Sequence, residues 1–159
     1  DGAAAAVVGD EGPGPHILGF SSLYAWEHID ALGFELGSAG FLIVLDPNIP
    51  DIIASHIEAA VDGLLERHGV AHQDVAMWCF HPGGSRILDA VQRRLSLNDS
   101  QMAASRHVLA HHGNMSSPTV MFVLAESLRS GGGTAGKYAL LAAFGPGLGI
   151  ELCLLGLQS

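Results

Sequence analysis

The chain has 159 residues, of which 48% are hydrophobic and only 14% charged, and its formal net charge is −9. That length and composition fit one globular domain with a substantial core and exclude a disordered chain. Residues 1–66 hold eleven Asp and Glu and no Lys or Arg, while all seven Lys and Arg fall in 67–159 with the other five acids. An acidic chain of this kind presents no nucleic-acid surface, though it leaves room for a small anionic ligand near the second half.

In chain order, residues 3–8 read as a short buried strand entered directly from a turn, as if the chain were cut within a fold. The opening DGAAAAVVGDEG shows no basic region of the kind that begins a signal peptide. A loop rich in Gly and Pro follows over 9–15; strands are expected over 17–26 and 33–36, then an apolar run over Gly40–Leu45. Pro50 is well placed as the first residue of a helix. In that helix Ile53, Ile57, Ala60, Val61 and Leu64 make one apolar face, Glu58, Asp62 and Glu66 lie elsewhere on the cylinder, and Gly69 closes it. Val75–Phe80 is continuously apolar, the pattern of a strand covered on both faces. The next helix turns Ile87, Leu88, Val91 and Leu95 inward. Asn98 or Asp99 caps the one after, which runs through Met102, Val108 and Leu109 to Gly113.

Pro118 opens a helix so apolar (Val120, Met121, Phe122, Val123, Leu124) that a central, buried position is expected. Residues 130–136 read as a flexible turn, and two strands near 138–144 and 149–157 finish the chain. Residues 138–157 carry Glu151 as their only charge and are long enough to raise a membrane span. Phe144-Gly-Pro-Gly-Leu-Gly149 divides them, so two buried strands joined by a turn are expected, and no membrane span. The whole is expected to be α/β, a mixed sheet covered by helices.

Two stretches carry the chemistry: His81-Pro-Gly-Gly-Ser-Arg-Ile-Leu-Asp89 and Gly113-Asn-Met-Ser-Ser-Pro118. His81 stands where a buried strand emerges, and α/β folds favour such ends for binding. A buried histidine is most simply a packing residue. Gly83 and Gly84 shift that balance, because they admit a ligand or backbone closely and the following helix offers free N–H groups to an anion. Asn114 has the plain reading of a helix-terminal residue, but Gly113 already supplies the left-handed turn and Ser116, Ser117 and Pro118 the next helix start. Its carboxamide is left without an evident structural duty. Imidazole and carboxamide are neutral donors of the kind a thioester oxyanion needs.

Cys79, two residues before His81 on the same strand face, is the tempting nucleophile. It lacks an activating helix terminus, and burial should raise its pKa, so Cys79 and Cys153 both read as core thiols. Two such thiols suit a reducing compartment, here the cytoplasm, and not a disulfide scaffold. A zinc site needs three or four convergent ligands, and no nearby carboxylate or thiol completes a set with His107, His111 and His112 at this helix end, so no metal is expected.

Four ordered motifs, DGAAAAVVG at 1–9, HPGGSRILD at 81–89, RHVLAHHGNMSS at 106–117 and FGPGLGIE at 144–151, resemble the C-terminal half of a type III polyketide synthase, the chalcone synthase family within the thiolase-fold condensing enzymes. The resemblance runs the full length and implies a thiolase-like α/β fold, with 1–159 as its single C-terminal repeat. It implies decarboxylative Claisen condensation of malonyl-CoA onto an acyl-CoA starter at a Cys-His-Asn site, with His81 and Asn114 as the catalytic histidine and asparagine. By the same resemblance Gly83, Gly84, Arg86 and Ser116 border the coenzyme A thioester, and Arg86, where the family often has a small residue, is placed to meet a phosphate. Phe144, Gly145, Pro146 and Ile43 would shape the cavity, with Phe41 nearby and Ile43 where plant enzymes carry a gate Phe. Coenzyme A thioesters are then substrates, no resident cofactor is implied, and a homodimer is the implied assembly.

The nucleophilic cysteine would lie in an N-terminal half outside this chain, leaving the chain alone inert. Two alternatives stand beside this reading. Ketoacyl-ACP synthase III enzymes share the His and Gly-Asn logic, although they usually carry HQAN-like motifs where this chain has Pro-Gly-Gly. A non-catalytic thiolase-fold module for binding or dimerisation is the other.

Overall fold

The structure, a computed structural model, describes residues 2–10, 12, 14–38, 40–131 and 138–157. In chain order it shows β1 (His16–Tyr24), the hairpin β2 (Leu32–Gly37) and β3 (Gly40–Leu45), helix α1 (Ile49–Arg67), and β4 (Val75–Phe80). Three helices follow, α2 (Ser85–Arg94), α3 (Asp99–His112) and α4 (Thr119–Arg129), and then β5 (Tyr138–Gly145) and β6 (Gly149–Gly156). Four strands make one mixed sheet in the order β1-β6-β5-β4, and β2 with β3 forms a separate hairpin. β4 pairs parallel with β5, whereas β5–β6 and β6–β1 are antiparallel. The expected mixed α/β sheet is what forms.

Strand alternation explains why Val75–Phe80 carries no polar residue. Trp78 and Phe80 enter the cluster formed with Ile53, Ile57, Val61 and Leu64 of α1 and with Leu88 and Val91 of α2. Met77 and Cys79 point the other way, into the cluster with Val108 of α3 and Val123 of α4. The strand therefore lies between two helical layers, and both faces must be apolar. The predicted inner face of α1 is buried throughout. Pro50 stands in its first turn, and Gly69 takes φ 63° just past its end. Asn98 is the cap of α3: its Oδ1 accepts the Gln101 N–H at 3.0 Å, and Gln101 Oε1 accepts the Asn98 N–H at 2.9 Å.

Three expectations change. Residues 3–8 form no strand, and Val7 and Val8 are exposed. The outer edge of β4, where another strand would add, is occupied by α3, and Ala3, Ala4 and Ala5 instead line an open hollow beside α4. Helix α4 is not central: it buries Thr119, Val123 and Ser127, while Leu128 is exposed. The strand expected over 17–26 ends at Tyr24, and Trp26–His28 is a short 3₁₀ turn. The turn expected over 130–136 falls mostly outside the described residues. Residues 138–157 fold as the β5–β6 hairpin, and among the described residues no helix is long and apolar enough to cross a membrane.

These contacts set a stability order. Ile57→Ala empties a fully buried site on α1 and should cost about 2–5 kcal/mol. Asn98→Ala removes one side of the capping box and should cost about 1 kcal/mol. Chemical denaturation of the two variants against the parent measures both.

Candidate functional site

β4 and β5 run parallel and end on the same side of the sheet, where β6 begins and β1 ends. His81 continues the ladder by one rung, its N–H donating to the Ala142 carbonyl at 2.8 Å. One residue earlier, the Phe80 N–H points to the opposite edge and donates to Ser105 Oγ of α3 at 3.1 Å. Ser105 is fully buried, and His81 is only 8% exposed. After His81 the chain turns sharply, with the Gly83 N–H on the His81 carbonyl at 3.0 Å. A Cβ on Gly83 would stand 2.9 Å from Ile87 Cδ1 and 3.8–3.9 Å from His81 Cδ2 and Nε2, so this turn passes close to the imidazole and a side chain here would displace the end of Ile87. Gly84 is extended, and its carbonyl accepts the Leu88 N–H as α2 begins.

Asn114 arrives from the other side. Gly113 ends α3 at φ 70°, and the Asn114 Nδ2 donates to the Gly83 carbonyl at 3.3 Å. Asn114 Oδ1 accepts the Ser116 N–H at 2.8 Å. The carboxamide thus has the structural duty that its sequence neighbourhood concealed: it ties the loop after α3 to the turn after β4. An amide nitrogen carries two N–H groups, so one donor is committed to Gly83 and one is left over. The structure therefore brings His81, Gly83 and Asn114 into one cluster.

The other expected site residues are spread over the start of α2, the loop after α3, the β5–β6 turn and the β2–β3 hairpin. Arg86 is exposed in the first turn of α2 and makes no ion pair or side-chain hydrogen bond among the described residues. Ser116 is exposed and takes φ 67°. Phe144, Gly145 and Pro146 lie where β5 turns into β6, at the same end of the sheet as His81. The hairpin bearing Ile43 is joined to that loop through the Gly147 N–H, which donates to the Leu32 carbonyl at 2.8 Å. Ile43 is exposed and pairs across the hairpin with Phe34; Phe41 stands edge-on to Phe34 with ring centroids 6.4 Å apart. His107 and His111 stack at 4.0 Å on the exposed end of α3, and His111 Nδ1 is engaged with the His107 carbonyl.

Burial sets the electrostatics. Desolvation lowers the His81 pKa and favours neutral imidazole. Desolvation also pushes the Cys79 thiol up to about 11, against a smaller opposing effect of its contact with Ser127 Oγ at 3.5 Å. Cys153 is raised for the same reason. Neither thiol is poised as a nucleophile at neutral pH.

Sequence patterning did not single out Ser105 or Thr119, the two fully buried hydroxyls next to His81 and Asn114. A signal existed. Ser105 shares the inward face of α3 with Met102 and Val108, and Thr119 that of α4 with Val123. A lone hydroxyl at a core position needs a partner, and here the partners are the site's own backbone.

The family model described as chalcone and stilbene synthases, C-terminal domain, matches residues 26–157, and the chain belongs to that family. A 3,5-dihydroxyphenylacetyl-CoA synthase of Amycolatopsis balhimycina is 33% identical over 160 residues, which cover 98% of this chain and 43% of the relative. The crystal structure of PKS-I from the brown alga Ectocarpus siliculosus superposes with TM-score 0.85 at 32% identity, covering 92% of this chain and 41% of that one. That of 1,3,6,8-tetrahydroxynaphthalene synthase from Streptomyces coelicolor A3(2), a bacterial type III polyketide synthase, gives TM-score 0.88 at 29% identity, covering 96% and 44%. The α/β arrangement is thus that of the type III polyketide synthase domains with their thiolase-like fold. The chain spans about two fifths of the length of each of these relatives.

Two measurements check the electrostatics. Cys79 should resist iodoacetamide at pH 8 in the native protein and react fully once unfolded, as peptide mass spectrometry would show. For His81 the folded pKa lies below the unfolded value of about 6.5. Below that pH the unfolded chain takes up a proton that the folded chain resists, so stability falls as pH drops through this window. His81→Gln should flatten that part of the stability-against-pH curve.

Proposed function

We propose that this chain supplies the histidine and asparagine of a Cys-His-Asn condensing site in a type III polyketide synthase, acting on malonyl-CoA and an acyl-CoA starter. The observation that carries the reading is the convergence on Gly83, with neutral imidazole on one side and a carboxamide with a spare N–H on the other. In the proposed reaction the bond between the carboxylate carbon and C2 of malonyl-CoA breaks, CO₂ leaves, and the electron pair becomes an enolate with charge on the thioester oxygen. The His81 and Asn114 N–H groups meet that oxygen, each contributing about 3 kcal/mol. The enolate carbon then attacks the starter's acyl thioester, forming the new C–C bond and releasing the cysteine thiolate.

That cysteine comes from outside residues 1–159 in this reading, since the raised pKa of both Cys79 and Cys153 argues against either. The chain is then one C-terminal thiolase-like repeat, inert by itself. An imidazolium at His81, disfavoured by burial alone, is offset by a thiolate beside it, which is how acyl loading is supported. Arg86 is open to a coenzyme A phosphate, and Ile43 with Phe144, Gly145 and Pro146 bounds the cavity. No resident cofactor or metal takes part. The free thiols of Cys79 and Cys153 suit the cytoplasm, and the assembly is a homodimer.

The test is CO₂ release from malonyl-CoA by the full-length protein without carrier protein. His81→Ala and Asn114→Ala should each lower kcat about 10²–10³-fold. Undiminished decarboxylation in both variants would discard the assignment, and an absolute requirement for carrier protein would move the protein to the ketoacyl-ACP synthase III type.

A further inference from the structure

We propose that Thr119 is a positioning residue that holds the Asn114 carboxamide in the orientation that aims its spare N–H; the proposal rests on the reading of Asn114 as an oxyanion donor. Thr119 is fully buried at the start of α4. Its Oγ1 accepts the Met115 N–H at 2.9 Å and donates to the Ser116 carbonyl at 2.7 Å, and its backbone N–H reaches the same carbonyl at 3.0 Å. One hydroxyl therefore clasps the two residues that follow Asn114.

The clasp holds a backbone shape that its residue resists. Ser116 sits at φ 67°, in the left-handed region where a side chain is strained. In that shape the Ser116 N–H points back at Asn114 Oδ1, 2.8 Å away. The two ends of a carboxamide are alike in size and opposite in chemistry. With Oδ1 fixed on Ser116, the NH₂ group faces the Gly83 carbonyl, as observed. Were the turn to relax, the Ser116 N–H would leave and only the 3.3 Å bond to the Gly83 carbonyl would hold the amide, so its spare N–H would lose its aim. The γ-methyl of threonine restricts χ1, keeping Oγ1 in place between its two partners.

The experiment is a double-mutant cycle in the full-length protein, reading kcat and KM for malonyl-CoA decarboxylation, with thermal melting to confirm folding. Thr119→Val should lower kcat about tenfold while leaving KM within about twofold, as expected when a donor is misaligned and not removed. Thr119→Ser keeps the hydroxyl and should restore most of kcat. In the Asn114→Ala background, Thr119→Val should have no further effect, because the group it positions is gone. If the valine variant does not fold, Thr119→Ala takes its place in the cycle. An unchanged kcat in Thr119→Val, or an equal loss with and without Asn114, would overturn the role. Full activity of Asn114→Ala alone would instead overturn the oxyanion reading, and this role with it.

Discussion

The end of β4 is held from both edges, and the placement of the site depends on that grip. Successive backbone N–H groups of a strand point to opposite sides. Here Phe80 gives its N–H to Ser105 Oγ and His81 gives its own to the Ala142 carbonyl. β4 is the last strand of its sheet, so without Ser105 that edge would carry an unpaired donor in the core and a site open to another strand. The same helix that supplies Ser105 ends at Gly113 and delivers Asn114 to Gly83. Helix α3 thus spans the two side chains and fixes one relative to the other. A shift of α3 would move both ends of the site together.

Burial, more than charge, keeps α1, α2 and α3 in register. Arg94 pairs with Glu58 across α2 and α1, and Arg106 bonds Asp89 and Gln92 across α3 and α2, at 2.7 and 2.6 Å. These ion pairs are roughly two-fifths exposed, where such contacts contribute about 0–1 kcal/mol. The core they border contains Ile53, Ile57, Leu64, Leu88, Trp78 and Phe80, all almost fully buried, and each large side chain there contributes about 1.5–3 kcal/mol. Trp78 stacks on Phe80 at 5.9 Å and meets the His72 ring at a tilt, 4.5 Å between centroids. The candidate site therefore stands on a closely packed sheet, which the proposed pair of donors would require.

The elements that sequence makes plain are those whose pattern and partner coincide. The 3.6-residue stripe of α1 meets the sheet directly, and the unbroken apolar run of β4 matches its position between two layers. Patterning measures how much a segment must bury but not what buries it. Helix α4 is apolar nearly all round, yet it fully buries just Thr119, Val123 and Ser127, and Met121, Phe122 and Leu124 flank a hollow of about 470 Å³ shared with Ala3, Ala4 and Ala5. Residues 3–8 failed as a strand for a related reason. A strand exists only with an edge to pair with, and alanine offers little preference of its own. His81 and Asn114 stand out in the sequence because Gly83 and Gly84 follow the one and Gly113 already ends the helix before the other. Ser105 and Thr119 do not, because a small hydroxyl in a helical stripe resembles weak core until its partner is seen.

Asn114 shows why structural and chemical duties need not compete. Its Oδ1 and one N–H are both spent on backbone, yet the spending is what aims the remaining N–H. Aspartate would close the same turn on Ser116 but would set a carboxylate oxygen against the Gly83 carbonyl, acceptor to acceptor. Glutamine keeps both groups but adds a methylene, and the short ring through the Ser116 N–H no longer closes in the same geometry. Serine has the donor but not the reach to hold both partners at once. Asparagine alone satisfies the two loops and leaves an uncharged donor over. His81 reaches the same condition by burial, which disfavours its charged form. In the proposed reaction, donors set in this way before an anion forms would need little rearrangement of the protein to stabilise one.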